Sequence, residues 1–89
     1  MKIKLELFGA SRDFSDNDYL EIEVQDKASI NDLRNEIIKY IDENFQGNEN
    51  FIKVVKSSAF CSENNEIISD NYKITKDQKI GIIPPIGGG

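Results

Sequence analysis

The chain has 89 residues and carries 11 Lys and Arg against 16 Asp and Glu, a formal charge of −5 with no histidine. That balance argues against non-specific binding to phosphate backbones or anionic membranes, and it suits a partner with a basic face. The single cysteine, Cys61, excludes an internal disulfide and a Cys-based zinc site, and the lack of His removes Ser-His-Asp, Cys-His and imidazole-metal chemistry.

The N-terminus, Met1-Lys2-Ile3-Lys4, passes straight into alternation without the apolar stretch of a signal peptide. No apolar run approaches the roughly 20 residues needed to span a bilayer. A cytoplasmic chain is therefore expected, with one modest core drawn from a hydrophobic fraction of 38%. From Lys2 to Phe8, Ile3, Leu5 and Leu7 share one face and Lys2, Lys4 and Glu6 the other, the period of a half-buried strand. Gly9-Ala10-Ser11 and Ser15-Asp16-Asn17-Asp18 read as a connection. Leu20, Ile22 and Val24 then alternate with Glu21, Glu23 and Gln25, so a hairpin is expected.

Ser29, with Asp32 three residues later, is close to a capping box. Ile30, Leu33, Ile37, Ile38 and Ile41 follow at helical spacing, which predicts a helix from about Ile30 to Asn44, stopped near Gly47. Ile52-Lys53-Val54-Val55, Ala59-Phe60-Cys61 and Glu66 to Ser69 read as short strand pieces, with a turn over Ser62 to Asn65. Ile74-Thr75 leads into the polar turn Lys76-Asp77-Gln78, and Ile80-Gly81-Ile82-Ile83 is a last apolar strand. One main helix covering one face of a mixed sheet is an α+β fold. A crossover helix after a hairpin lets a later strand lie parallel beside the first, the β-grasp arrangement of ubiquitin. The expected organisation is a β-grasp domain over residues 1–83 and an extended tail over 84–89.

The tail is Pro84-Pro85-Ile86-Gly87-Gly88-Gly89. Pro84 and Pro85 cannot donate to a sheet ladder, so they end the strand and hold the chain extended. Glycines without Cβ can enter a channel that any side chain would block. Six extended residues reach roughly 20 Å and end in a carboxylate. Taken alone, a terminal glycine run is also what a frayed end or a cloning remnant looks like.

The Pro-Pro-aliphatic-X-Gly-Gly ending, the opening strand with Phe8 and a following Arg12, and the Ser29-capped helix together resemble the small subunit of molybdopterin synthase, a ubiquitin-like sulfur carrier. The likeness spans nearly the whole chain. It departs at Lys76-Asp77-Gln78, where the family often has Asp-Gly-Asp, in a longer stretch from Cys61 to Lys73, and in the third glycine, Gly87. The resemblance implies that the chain is not itself an enzyme and binds no cofactor. Gly89 would be adenylated by an ATP-dependent activating enzyme and converted to a thiocarboxylate. The tail of Pro84, Pro85, Ile86, Gly87 and Gly88 would then thread into a large catalytic subunit, and sulfur would pass to cyclic pyranopterin monophosphate. Alternatives are a sulfur carrier for thiamine, cysteine or tRNA thiolation, a ubiquitin-like modifier joined through Gly89, and a β-grasp interaction domain with an inert tail.

Strand phase adds a partner surface. Phe8 points away from the face of Ile3, Leu5 and Leu7, and Ile83 away from that of Ile80 and Ile82. If these strands are parallel neighbours, Phe8 and Ile83 form an apolar patch at the root of the tail, a docking face with Phe60 as a third member. The alternative is that both tuck under loops as the strand ends twist. Cys61 reads as a small buried hydrophobe before it reads as a redox group. Ser29 reads as a helix cap, and Arg12 as a tie between loop and domain.

Overall fold

In the computed structural model, which describes residues 1–85, the first alternation is strand β1 (Lys2–Leu7), with Ile3, Leu5 and Leu7 buried. The connection after it is a 3-10 helix over Gly9–Phe14, entered at Gly9 with a φ of 55°, a conformation that glycine adopts without steric cost. Strand β2 (Tyr19–Glu23) returns antiparallel, with Leu20 opposite Leu5 and Ile22 opposite Ile3, so the expected hairpin is present. A two-residue strand, β3 (Ala28–Ser29), precedes the helix.

Helix α1 (Ile30–Phe45) buries Ile30, Leu33, Ile37 and Ile41. Its start is a true capping box: the Asp32 N–H donates to Ser29 Oγ at 3.0 Å, and the Ser29 N–H donates to Asp32 Oδ2 at 2.9 Å. Its end is the left-handed pair Gln46 and Gly47.

A second helix, α2 (Glu49–Ser57), stands where Ile52-Lys53-Val54-Val55 reads as a strand. The reason is packing. A strand would align Lys53 with Phe51 and Val55 on one face, whereas a helix turn brings Phe51 and Val55 together and frees Lys53. Phe51 meets Phe14 and Phe45 with ring centroids 5.2 and 5.1 Å away, and Val55 is fully buried. Asn48 caps the helix by accepting from the N–H groups of Asn50 and Phe51.

Strands β4 (Ala59–Cys61), β5 (Ile67–Ile68), β6 (Lys73–Ile74) and β7 (Gln78–Ile83) complete the chain. The main sheet runs β2-β1-β7-β4-β5, with β1 and β7 parallel and the other pairs antiparallel, while β3 and β6 form a separate pair. Arg34 of α1 stitches these parts together. It donates to the carbonyls of Val55 and Ser58 at 2.7 and 2.8 Å and pairs with Asp70 at 2.8 Å, with its guanidinium 4.9 Å from the Phe60 ring centre. The α+β, ubiquitin-like β-grasp expected from the element order is the observed fold, with a second α-helix beside the one main helix among the described residues.

Candidate functional site

The tail leaves the domain from the middle of the sheet, because β7 lies between β1 and β4. Pro84 is buried and Pro85 exposed. A Cβ placed on Gly9 would lie 3.8 Å from Pro84 Cδ, so the first residue of the neck rests on the turn that follows β1. Ile86, Gly87, Gly88 and Gly89, the residue expected to be reactive, lie outside the described residues.

Register decides what surrounds this root. Leu7 pairs with Ile82 in the core, so the residues after them, Phe8 and Ile83, emerge on the opposite face at the end where the tail departs. Phe8 is 40% exposed and Ile83 half-buried. Ala59 pairs with Ile83 and Cys61 with Gly81, which extends the same face onto β4; Ile67, opposite Cys61, extends it to the sheet edge. The other end of this face is charged. There Lys79 pairs with Glu6 at 3.6 Å, and Lys4 sits 4.5 Å above the Tyr19 ring centre.

Phe60 is corrected. It pairs with Ile82, an inward residue, and is only 1% exposed, so it belongs to the core beneath Arg34 and offers no docking surface. Its neighbours Ala59 and Cys61 hold the outward phase that Phe60 was expected to have.

Two residues at this end escaped the reading of the sequence. Ser11 is fully buried, and its hydroxyl and N–H both donate to the Phe8 carbonyl, at 2.6 and 3.1 Å. Gly81 lies directly under Phe8 and Cys61: a Cβ there would sit 2.9 Å from Phe8 Cε2 and 2.8 Å from Cys61 Sγ. A glycine between Ile80 and Ile82 is itself the signal, since glycine inside a strand marks close approach of another group.

The remaining candidates have local roles. Cys61 is a buried free thiol. Arg12 pairs with Asp18 at 3.3 Å with both side chains largely exposed, tying the 3-10 helix to the hairpin. The Ser29 N–H, and then its hydroxyl, hold the Asp32 carboxyl below the ordinary aspartate value; burial, then the Asp16 charge, raise the Tyr40 phenol. Both groups sit on α1, across the sheet from Phe8. Among the described residues no helix is long and apolar enough to cross a membrane, and no cluster of His, Cys, Asp and Glu is placed to hold a metal ion.

A profile of the ThiS family matches residues 5–89. No curated protein matches the chain. Among solved structures, SAMP1 from Haloferax volcanii superposes with a TM-score of 0.68 at 13% identity, covering 100% of both chains. A putative molybdopterin converting factor, subunit 1, from Pyrococcus furiosus has a TM-score of 0.68 at 24% identity, covering 96% of this chain and 98% of that one. A Caldiarchaeum subterraneum ubiquitin has a TM-score of 0.61 at 17% identity, covering 100% and 98%. These structures share the fold. With residues 5–89 matched by the family profile, the chain belongs to the ThiS family and is a ubiquitin-like sulfur carrier.

Proposed function

We propose that this carrier is the small subunit of a molybdopterin synthase, and that Gly89 bears the sulfur. The observation that carries the reading is the Pro84-Pro85-Ile86-Gly87-Gly88-Gly89 ending, continuous with a central strand and rooted beside the outward-facing Phe8 and Ile83. The likeness to the putative molybdopterin converting factor subunit from Pyrococcus furiosus supports the choice of pathway.

A carboxylate is a poor electrophile. Attack of the Gly89 carboxylate on the α-phosphate of ATP, held by an activating enzyme, releases pyrophosphate and leaves an acyl-adenylate. A sulfur donor then displaces AMP to give a thiocarboxylate, which is a far better nucleophile at neutral pH than a hydroxyl oxygen. This chain's residues do not catalyse those steps. Pro84, seated against the turn at Gly9, ends the strand and with Pro85 stiffens the neck, the glycines let the tail enter a narrow channel, and the apolar patch docks it against the large catalytic subunit. That subunit then presents cyclic pyranopterin monophosphate to the sulfur.

The test is to incubate the chain with an activating enzyme, ATP and a sulfur donor, and to weigh the intact protein. Exchange of one oxygen for sulfur is expected in the wild type and absent when Gly88-Gly89 is deleted or a residue is added after Gly89. Loading of either altered form, or no loading of the wild type by any activating enzyme, overturns the reading. The family match fits equally a carrier for thiamine, cysteine or tRNA thiolation. Conversion of cyclic pyranopterin monophosphate by the loaded chain and large subunit separates that second reading from the first.

A further inference from the structure

We propose that Gly81 is a positioning residue for partner docking, acting through Phe8: its bare Cα lets the Phe8 ring settle over β7 and fixes the height at which that ring meets the partner. This rests on the reading of the Phe8–Ile83 end as the docking face.

Phe8 is held at both ends. Its backbone is extended, with φ of −120° and ψ of 152°, and its carbonyl accepts two hydrogen bonds from the buried Ser11. Its ring leans back along the sheet. Strand pairing sets Glu6, not Phe8, beside Gly81, yet it is the Cδ2–Cε2 edge of Phe8 that closes over Gly81. A Cβ there would lie 2.9 and 3.5 Å from those two atoms, with Cys61 Sγ at 2.8 Å on its other side. Cys61 is buried within β4, so the ring, 40% exposed, is the group free to move. Any side chain at position 81 therefore lifts Phe8 outward.

A pre-set aromatic ring loses little rotamer freedom on binding, and such anchors dominate interface energetics. A strand normally gains from alanine in place of glycine, because glycine has more conformational freedom to lose on folding. Glycine at this position therefore serves the group above it, not the strand.

The experiment is a double-mutant cycle by calorimetry against the molybdopterin synthase large subunit of the source organism. Gly81→Ala is expected to weaken association by about tenfold. Combined with Phe8→Ala, it should add less than about twofold, because the group it acts through is gone. Gly81→Ala together with Cys61→Ala removes the collision with sulfur and confines the disturbance to Phe8. It should remain folded and show the same loss if Gly81→Ala alone does not fold. Nuclear Overhauser contacts between the Phe8 ring and the Gly81 α-protons should be present in the wild type.

Unchanged affinity of the folded Gly81 variants overturns the proposal, as does an undiminished Gly81→Ala effect in the absence of the Phe8 ring, which would mark a merely structural role. A wild type that shows the Phe8–Gly81 contact but binds no large subunit instead overturns the docking reading beneath the proposal.

Discussion

At the scale of single residues, phase within a strand separates the proposed docking residues from those that pack the core. Phe8 and Ile83 sit one position beyond the inward residues Leu7 and Ile82, while Phe60 shares the phase of Ile82. An aspartate at an outward-facing anchor, exposed at Phe8 and half-buried at Ile83, leaves the isolated domain folded but places an unpaired carboxylate inside a complex. Phe8→Asp and Ile83→Asp should each weaken binding to the large subunit by about tenfold or more in calorimetry. Phe60→Ala should instead cost about 3–5 kcal/mol in urea denaturation, the range for a large aromatic removed from a core. Normal binding by both aspartate variants would move the docking face elsewhere. The misplacement of Phe60 has a plain cause. A three-residue strand has too few alternations to reveal its own phase, which only pairing with β7 sets.

Among elements, α1 was legible almost to the residue because its signals are local. Ser29, Asp32 and the isoleucine spacing specify start, register and buried face, all within one segment. Ser29→Ala should cost about 1 kcal/mol by removing the cap. The cap also gives the stability a pH dependence. The folded Asp32 carboxyl is held below its ordinary value by Ser29, so its contribution is present above the unfolded aspartate value of ~3.9 and is lost as pH falls through the folded value. The stability gap between wild type and Asp32→Asn, measured by denaturation near neutral pH, should therefore narrow in acid below that window. A gap of constant size would detach the cap from the Asp32 carboxylate. Helix α2 was illegible for the opposite reason. Its β-branched run favours a strand, and the preference is overridden by the contacts Phe51 makes with Phe45 across the short turn between the helices and with Phe14 from a distant part of the chain.

For the whole molecule, the core and the working end are separable. The core cluster extends from Ile3 to Ile82 and includes Leu33, while the proposed reactive residue is Gly89. Leu33→Ala should cost about 2–5 kcal/mol. Deleting Gly88-Gly89 should leave the thermal midpoint unchanged while abolishing sulfur loading. An unchanged midpoint for Leu33→Ala would remove it from the core, and a lowered midpoint for the deletion would tie the terminus to folding. The sequence by itself determined the hairpin, α1 and the last strand with its stop at Pro84, and with them the fold class. Period-two and period-3.6 patterns, caps and prolines act through neighbouring residues, and they can be read without knowing the rest of the chain. The family resemblance rested on those same segments. Tertiary structure alone decided that 49–57 is a helix, that β3 pairs with β6, and that Phe60 faces inward. It also joined the buried Ser11 to the Phe8 carbonyl and placed Gly81 under the Phe8 ring. Those outcomes depend on which surfaces meet across long separations, and short segments carry too little pattern to announce their partners.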